Sequence, residues 1–424
     1  MPLPPAELLI AGFRAAVAAT QAATAMPPFL PTAPAGRVCV VGAGKAAAAM
    51  AACVETQWPA ADLSGLVITR HGHTEPTQRI EVAAAGHPLP DAAGLCAAQR
   101  LLDLVRSAAA DDQVLALISG GGSSLLSLPV AGLTLADLQA VSAALLRCGA
   151  PIAEINCVRK HLSLTLGGQL AAACRAPVTA LLISDVTGDD PAVIASGPFA
   201  ADASTYADAL AILARRQISA PASVQRHLLA GVAGEIEETP KPGAACFSRV
   251  EHRIIANGRS ALLAAADFFH AQGIRPVMLG DSYTGEAREV AQVFAALVRE
   301  IRRHDNPWPP PLVLLSGGET SVSVLGRGRG GRNTEFLLAL ALALQGLDGV
   351  HALAADTDGL DGTEDNAGAL IAPDTLARAA SRGHDAAAHL ADNDAYGFFA
   401  ALDDLVLSGP TRTNVNDFRA ILVL

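Results

Sequence analysis

The chain has 424 residues, of which 51% are hydrophobic, 17% are charged and 4% are aromatic, and its formal net charge is -11. This length favours two domains, and the high apolar content argues against long disordered segments. The acidic balance and the scarcity of aromatic residues argue against nucleic acid as a partner.

Cysteine usage and hydropathy predict the compartment. The seven cysteines form no C-x-x-C pair and lie in apolar surroundings, as buried free thiols do, so neither a disulfide framework nor a zinc site is expected. Residues 1–20 have the pattern of an ordinary first helix, and the apolar run from Phe336 is too short to cross a bilayer. We therefore expect a cytoplasmic protein with no membrane partner.

Short apolar runs alternate with Ala/Leu-rich helical patterns along the whole chain. The predicted strands begin at Arg37, Leu66, Val114, Val178, His252, Leu312, Ser321, His351 and Ala420. This alternation predicts an α/β fold with doubly wound, mostly parallel sheets. The polar, Pro/Gly-rich segment 227–252 is the best candidate for a domain boundary.

The first predicted strand runs into the glycine turn VVGAGKAA (residues 40–47), which has the outline of a dinucleotide-binding loop. That interpretation expects an acidic residue after the next strand, where the sequence has Arg70 and His71. Lys45 beside a helix N-terminus suits a phosphoryl group better. A structural turn with Lys45 in solvent is the alternative.

A second glycine turn, SGGGSS, follows the predicted strand at Val114. Its backbone N–H groups and the hydroxyls of Ser119, Ser123 and Ser124 can form a nest for phosphate or carboxylate oxygens, or simply a flexible turn. Arg159 and Lys160, early in a helical pattern, are either cleft-facing or part of a solvated face.

Acidic residues follow the predicted strand at Val178. Asp185, Asp189 and Asp190 are positioned to hold Mg²⁺ or to accept a hydroxyl proton, although turn and cap hydrogen bonds account for one of the three. A second acidic run, DTDGLDGTED, follows the strand at His351 and favours nucleotide or Mg²⁺ binding, although a structural turn explains two of its aspartates.

Two further glycine-rich segments lie in the C-terminal half. SGGETS (residues 316–321) repeats the Ser-Gly-Gly pattern at the carboxyl end of a predicted strand, where ligands of open α/β sheets bind. GRGRGGRN (residues 326–333) carries Arg327, Arg329 and Arg332, whose planar donors suit phosphate and carboxylate oxygens. We expect a ligand-facing loop there, with an exposed mobile loop as the alternative.

Taken in order, these segments resemble the class II glycerate 2-kinases, relatives of which carry the label hydroxypyruvate reductase. The resemblance covers nearly the whole chain and rests on GAGKAA, AGHPLPD, SGGGSSLL, VRKHLS, SDVTGDDPAVIASGP, GDSYTGEAREVA, SGGETSV, GRGGRNTEF, DTDGLDGTEDNAGA and TNVNDF. It implies a larger Rossmann-like N-terminal domain (1–240) with a mostly parallel sheet. It also implies a smaller MOFRL-type α/β C-terminal domain (241–424), with the active site in the cleft between the two.

The implied reaction is phosphorylation of D-glycerate by ATP, with Mg²⁺, to give 2-phosphoglycerate. The partners considered are this small-molecule substrate and a second copy of the chain in a homodimer. The resemblance implies catalytic roles for Lys45, Asp189 and Arg332. The expected substrate or phosphate contacts are Ser119, Gly120, Gly121, Gly122, Ser123, Ser124, Arg159, Lys160 and Asn257. The expected nucleotide contacts are Ser316, Gly317, Gly318, Glu319, Asn333, Asp356 and Asp358, with Asp189 and Asp356 as metal ligands.

The chain departs from the family pattern at three positions. It has Thr334 where the family usually has Gln, Arg412 where it has Gly, and Leu166 where a basic residue often precedes a Gly-Gly pair. The residues leave open whether Asp189 acts as a base or a metal ligand. Two other functions stay open: an NAD(P)H-dependent hydroxypyruvate reductase and a non-catalytic sugar-phosphate-binding module.

Overall fold

The computed structural model describes residues 3–34 and 36–424. These residues form two compact units: one comprises residues 22–255, and the other comprises the chain up to Gln21 together with residues 256–424. Helix α1 (Pro5–Thr20) therefore belongs with the C-terminal part of the chain. The resemblance implied a division between residues 240 and 241, inside the Pro/Gly-rich segment 227–252.

The unit of residues 22–255 is built on a six-stranded sheet. Its strands are β1 (Val38–Ala43), β2 (Leu63–Arg70), β3 (Ile80–Ala85), β4 (Gln113–Ser119), β5 (Val178–Ile183) and β6 (Val250–Ala256), in the spatial order β3-β2-β1-β4-β5-β6. Strands β1 to β5 run parallel. β1, β4 and β5 are buried along their whole length, as apolar strands covered on both faces must be.

Nine helices of this unit flank or follow these strands. They are α2 (Ala22–Ala25), α3 (Ala47–Gln57), α4 (Ala92–Ser107), α5 (Gly122–Leu125), α6 (Leu135–Arg147), α7 (Ile152–Lys160), α8 (Gln169–Ala173), α9 (Tyr206–Arg215) and α10 (Ala222–Val232) among the described residues. Because parallel strands end at one edge of the sheet, the segments after Ala43, Ser119 and Ile183 emerge side by side.

The second unit has a mixed six-stranded sheet. Its strands are β7 (Arg275–Glu286), β8 (Leu312–Ser321), β9 (Val350–Asp356), β10 (Gly368–Ile371), β11 (Leu405–Val406) and β12 (Asp417–Val423), in the order β11-β10-β9-β12-β8-β7. β12 lies antiparallel between β8 and β9. Besides α1, its helices are α11 (Gly258–Ala271), α12 (Ala287–His304), α13 (Arg332–Leu344), α14 (Thr375–Ser381), α15 (Ala386–Ala391) and α16 (Ala395–Ala400).

The predicted fold class is confirmed: the chain is α/β, with a mostly parallel first sheet and a second α/β unit. One predicted strand is wrong, because β8 continues through SGGETS to Ser321 and residues 322–325 lie in no strand. The sequence patterns also missed β3, β7, β10 and β11, which are short, polar on one face or interrupted by glycine.

Candidate active site

The glycine turn after β1 is hydrogen-bonded to the neighbouring strand ends. The Gly44 N–H donates to the Ile68 carbonyl (3.1 Å), the Lys45 N–H to the Gly120 carbonyl (2.9 Å) and the Ala46 N–H to Ser119 Oγ (3.0 Å). Gly44 has φ +139°, and a Cβ there would lie 2.1 Å from Ser119 Oγ. The turn thus presents the Lys45 side chain while its own amides are satisfied within the protein.

The three hydroxyls of the serine turn after β4 differ in burial: two are buried and one is partly exposed. Ser119 is fully buried and accepts from the Ala46 N–H, and buried Ser124 donates to the Gly121 carbonyl (3.2 Å). Ser123 is only partly buried and contacts Ser196 Oγ. A Cβ on Gly121 would lie 3.0 Å from His87 Nε2 and 3.5 Å from Lys45 Cγ, so these two side chains border the turn.

The two basic residues at the end of α7 have different environments. The Lys160 ammonium is buried and lies 3.2 Å from the Asp202 carboxylate, so its charge is neutralised within the protein. Arg159 is partly buried, and burial lowers the pKa of its guanidinium. In the described part of the chain no carboxylate forms an ion pair with Arg159, which leaves its positive charge uncompensated.

The three aspartates after β5 differ in their environments. Asp190 accepts the Ala192 N–H (2.8 Å) in a turn, as expected for one of the three. Asp189 is partly buried with φ +55°, a left-handed backbone that is uncommon for a residue other than glycine. Asp185 lies two residues beyond the end of β5 and is also partly buried.

Arg332, the first residue of α13, is surrounded by carboxylates. Its Nε donates to Asp417 (2.7 Å), and its two terminal nitrogens donate to Glu319 (2.8 Å) and Asp356 (2.9 Å). Burial lowers the pKa of Arg332, but the three acids outweigh it and raise the pKa well above its usual value. Arg332 is thus a fixed cation that organises acidic groups at the ends of β8, β9 and β12.

The acidic run after β9 is largely structural. Asp356 accepts the Asp358 N–H (3.0 Å), and Asp358 accepts the Leu360 N–H (2.8 Å), in consecutive turns. Asp361 is fully buried and accepts the backbone N–H groups of Asn333 and Thr334 at the start of α13. Burial raises the pKa of Asp361. Two of these acids therefore support the turn, and a third caps the helix that carries Arg332.

The other residues predicted to bind nucleotide or substrate lie mostly in the interior. Ser316, Gly317 and Gly318 are buried within β8, where Ser316 Oγ has no hydrogen-bond partner among the described residues. Asn333 is fully buried and donates to Asp417 (2.8 Å). Glu319 is exposed, whereas Asn257 is partly buried and accepts the Ser260 N–H as the N-cap of α11.

The arginine loop before α13 is held by the turn of residues 392–394. The amides of Leu325 and Gly326 donate to Asn393 Oδ1, and the Arg329 amide donates to Asp394. A Cβ on Gly326 would lie 2.1 Å from the Asp392 carbonyl oxygen. Close backbone packing therefore explains why position 326 of the loop that the sequence predicts to face a ligand is a glycine.

Sequence reasoning missed four residues that the fold brings to these positions. At the start of β12, Asp417 accepts from both Arg332 and Arg419. Ser196 lies beside Ser123, and Asn156 lies beside Ser196. Asp417 and Ser196 stood within quoted motifs, TNVNDF and IASGP, but nothing in the spacing singled them out.

The described residues contain no preformed metal centre. Among residues 3–34 and 36–424, no group of three or more His, Cys, Asp or Glu side chains has a metal-binding arrangement.

Within the same residues, none of the helices combines the length and the apolarity that a bilayer span requires.

Comparison with known proteins identifies the family. Residues 8–229 match a domain of unknown function (DUF4147), and residues 312–417 match the MOFRL family. The D-glycerate 2-kinase of Thermotoga maritima is 40% identical over 383 residues, which cover 90% of this chain and 89% of that protein. This chain belongs to the class II glycerate 2-kinase family.

Other relatives of the family support this assignment. A protein of Agrobacterium vitis named "Putative hydroxypyruvate reductase" is 51% identical, covering 97% of this chain and 93% of its own length. The crystal structure of glycerate kinase from Thermotoga maritima superposes with a TM-score of 0.87 at 38% identity and covers 99% of both chains. Family members therefore carry two functional names.

The departures from the family pattern have structural correlates. Arg412 has φ +61°, a left-handed conformation in which glycine is favoured. The Thr334 backbone N–H and hydroxyl donate to Asp361, and the same hydroxyl accepts the Gly331 N–H, which ties Thr334 to the cap of α13. Leu166 is buried in the apolar core next to the first sheet.

Proposed function

We propose that this chain transfers the γ-phosphoryl group of ATP to the C2 hydroxyl of D-glycerate, giving 2-phosphoglycerate and ADP. The observation that carries the proposal is the similarity to the Thermotoga maritima D-glycerate 2-kinase over 90% of the chain. In the reaction the substrate oxygen forms a bond to the γ-phosphorus, the bond from that phosphorus to the bridging oxygen breaks, and the hydroxyl proton leaves.

The geometry of the glycine turn favours the kinase over the reductase. A dinucleotide-binding loop contacts the pyrophosphate through free backbone N–H groups at the start of its helix. Here the amides of Gly44, Lys45 and Ala46 already donate to protein oxygens. β2 also ends at Arg70 rather than at an acid that could bind a ribose hydroxyl.

In the unit of residues 22–255, Lys45 is proposed to stabilise charge on the transferred phosphoryl group. Arg159 is proposed to bind the glycerate carboxylate, because no carboxylate in the described part of the chain pairs with it, whereas Lys160 is paired with Asp202. Asp189 is proposed to accept the proton of the reacting hydroxyl or to contact the metal. Such positioning and charge stabilisation provide most of the catalysis in phosphoryl transfer.

In the second unit, Arg332 and its carboxylates are proposed to serve the nucleotide and Mg²⁺. The oxygen-rich group of Glu319 and Asp356 fits a hard cation, which prefers carboxylate oxygens. Mg²⁺ usually takes only one or two protein carboxylates and completes its coordination with phosphate and water, so the lack of a preformed three-acid cluster is compatible with Mg-ATP. The bound ion would neutralise phosphate charge.

Product identification tests the proposed function. The protein is incubated with Mg-ATP and D-glycerate, and the product is identified by ³¹P and ¹³C NMR. Phosphate on C2 is the expected result. Phosphate on C3, or oxidation of NADH with hydroxypyruvate in place of ADP release, would contradict it.

Replacement of Lys45 by Met should lower kcat at least about 100-fold, as expected when a charge that stabilises the transition state is removed. The melting temperature should stay within a few degrees of the wild type, because the Lys45 backbone contacts remain. Steady-state kinetics and thermal melts measure both. Lys241→Met serves as the control, because it removes a lysine that forms an ion pair with Glu238. Normal turnover by the Lys45 variant would rule out the proposed role.

A further inference from the structure

A chain of three polar side chains leads from the interior of the first unit to the serine turn. Ser123 Oγ lies 2.8 Å from Ser196 Oγ, and Ser196 Oγ lies 2.9 Å from Asn156 Oδ1. Ser196 is fully buried and Asn156 is 4% exposed, whereas Ser123 is only partly buried. This row of hydrogen-bonded side chains therefore ends at the partly accessible hydroxyl of Ser123.

The direction of hydrogen donation along these three side chains is determined by Asn156, which lies at the opposite end from Ser123. The Asn156 amide nitrogen donates to the Val193 carbonyl (3.3 Å), so Asn156 Oδ1 faces Ser196. Ser196 must then donate its only hydroxyl proton to Asn156, and Ser123 must donate its proton to Ser196. Ser123 Oγ is left with lone pairs alone, so it can only accept a further hydrogen bond.

The backbone around Ser196 is strained. Ala195, Ser196 and Gly197 are consecutive left-handed residues, with φ of +51°, +58° and +59°. For the two residues other than glycine this conformation is unfavourable. The turn is held by hydrogen bonds from the Gly167 and Gly168 N–H groups to the carbonyls of Ser196 and Gly197 (2.9 and 2.7 Å). Strain of this kind is concentrated at functional sites.

We propose that Ser123 Oγ accepts a hydrogen bond from the C3 hydroxyl of a 2,3-dihydroxy acid, and that Ser196 and Asn156 are positioning residues that determine its polarity. The inference rests on the proposed function and specifies its substrate subsite. The bound hydroxyl is the one that does not react, because the chain ends at an amide that cannot take up a proton. Arg159, the proposed partner of the carboxylate, lies three residues after Asn156 and on the same face of α7.

Two variants separate the hydroxyl from the backbone strain. Ser196→Ala and Ser196→Gly both remove Oγ, but glycine tolerates the left-handed backbone and should melt several degrees higher than alanine. Ser163→Ala is the matched control, because Ser163 is also buried and its Oγ lies 3.0 Å from another hydroxyl, that of Thr165.

The measurement is the Kd of D-glycerate and of D-lactate, which lacks the C3 hydroxyl, by calorimetry on the full chain. Both Ser196 variants should bind D-glycerate about tenfold more weakly, or weaker still, and should bind D-lactate as the wild type does. The reason is that only a partner of the C3 hydroxyl discriminates the two ligands. The Ser163→Ala control should keep the wild-type preference for D-glycerate. Equal weakening of both ligands, or a D-glycerate affinity that follows the melting temperature, would overturn the inference. Selective weakening of D-glycerate binding in both Ser196 variants, together with no turnover of D-glycerate by the wild-type protein, would uphold this subsite and refute the proposed function.

Discussion

Asp417 is the residue on which the buried charges of the second unit depend. It is 2% exposed and accepts from Arg332 Nε (2.7 Å), Asn333 Nδ2 (2.8 Å) and Arg419 (2.6 Å). Burial raises the pKa of Asp417, but the guanidinium groups of Arg332 and Arg419 outweigh it and hold the pKa below its usual value. The Asp417 carboxylate therefore compensates the positive charges of Arg332 and Arg419 in the protein interior.

Replacement of Asp417 by Asn should lower the free energy of unfolding by about 3–5 kcal/mol, because it leaves a buried positive charge without compensation. Urea unfolding at neutral pH measures the effect. Glu251→Gln is the control, because it breaks an exposed ion pair with Arg253 and should cost less than about 1 kcal/mol. Equal stabilities of the two variants would contradict this interpretation of the cluster.

At the scale of elements, the strand-turn-helix after β1 depends on close backbone approach. Gly44 packs against Ser119, and the Lys45 N–H bonds to the Gly120 carbonyl, so the turns after β1 and β4 form one hydrogen-bonded structure. The sequence identified both turns as functional candidates. It did not reveal that each turn uses the other to satisfy its polar groups.

Gly44→Ala should destabilise the protein by roughly 3 kcal/mol or more, since its Cβ would lie 2.1 Å from Ser119 Oγ and 2.4 Å from the Ser119 carbonyl oxygen. Gly72→Ala is the matched control: Gly72 is also left-handed, but a Cβ there meets nothing within 4 Å. That variant should lose only about 1 kcal/mol from backbone strain. Chemical denaturation of both proteins measures the difference, and a difference near zero would show that the contact with Ser119 is easily relieved.

At the scale of the whole molecule, α1 joins the start of the chain to its C-terminal unit. Phe13 is 2% exposed, and its ring centroid lies 5.7 Å from that of Phe418 in β12. Gly12 packs against the Phe269 ring, and the Thr413 hydroxyl donates to the Thr20 carbonyl. The core of the C-terminal unit thus includes residues from the first turns of the chain.

Phe13→Ala should destabilise the C-terminal unit by about 3–5 kcal/mol, because it leaves a cavity beside β12. Hydrogen exchange should show faster opening of β8, β9 and β12, with little change in β1 and β4. Phe29→Ala, at a 37% exposed phenylalanine of the other unit, is the control. Faster exchange in β1 and β4 alone would contradict the assignment of α1 to the C-terminal unit.

The sequence by itself determined the α/β class, the glycine turns at strand ends and the motifs that identify the family, because these are local patterns of hydropathy and spacing. Only the tertiary structure decided which polar groups meet. Asp417 reaches Arg332 because β12 runs antiparallel between β8 and β9 and pairs Asp417 with Gly318 and Asp356. Ser196 reaches Asn156 across 40 residues of sequence. Such contacts depend on strand order and direction, which the periodicity of a single chain does not encode.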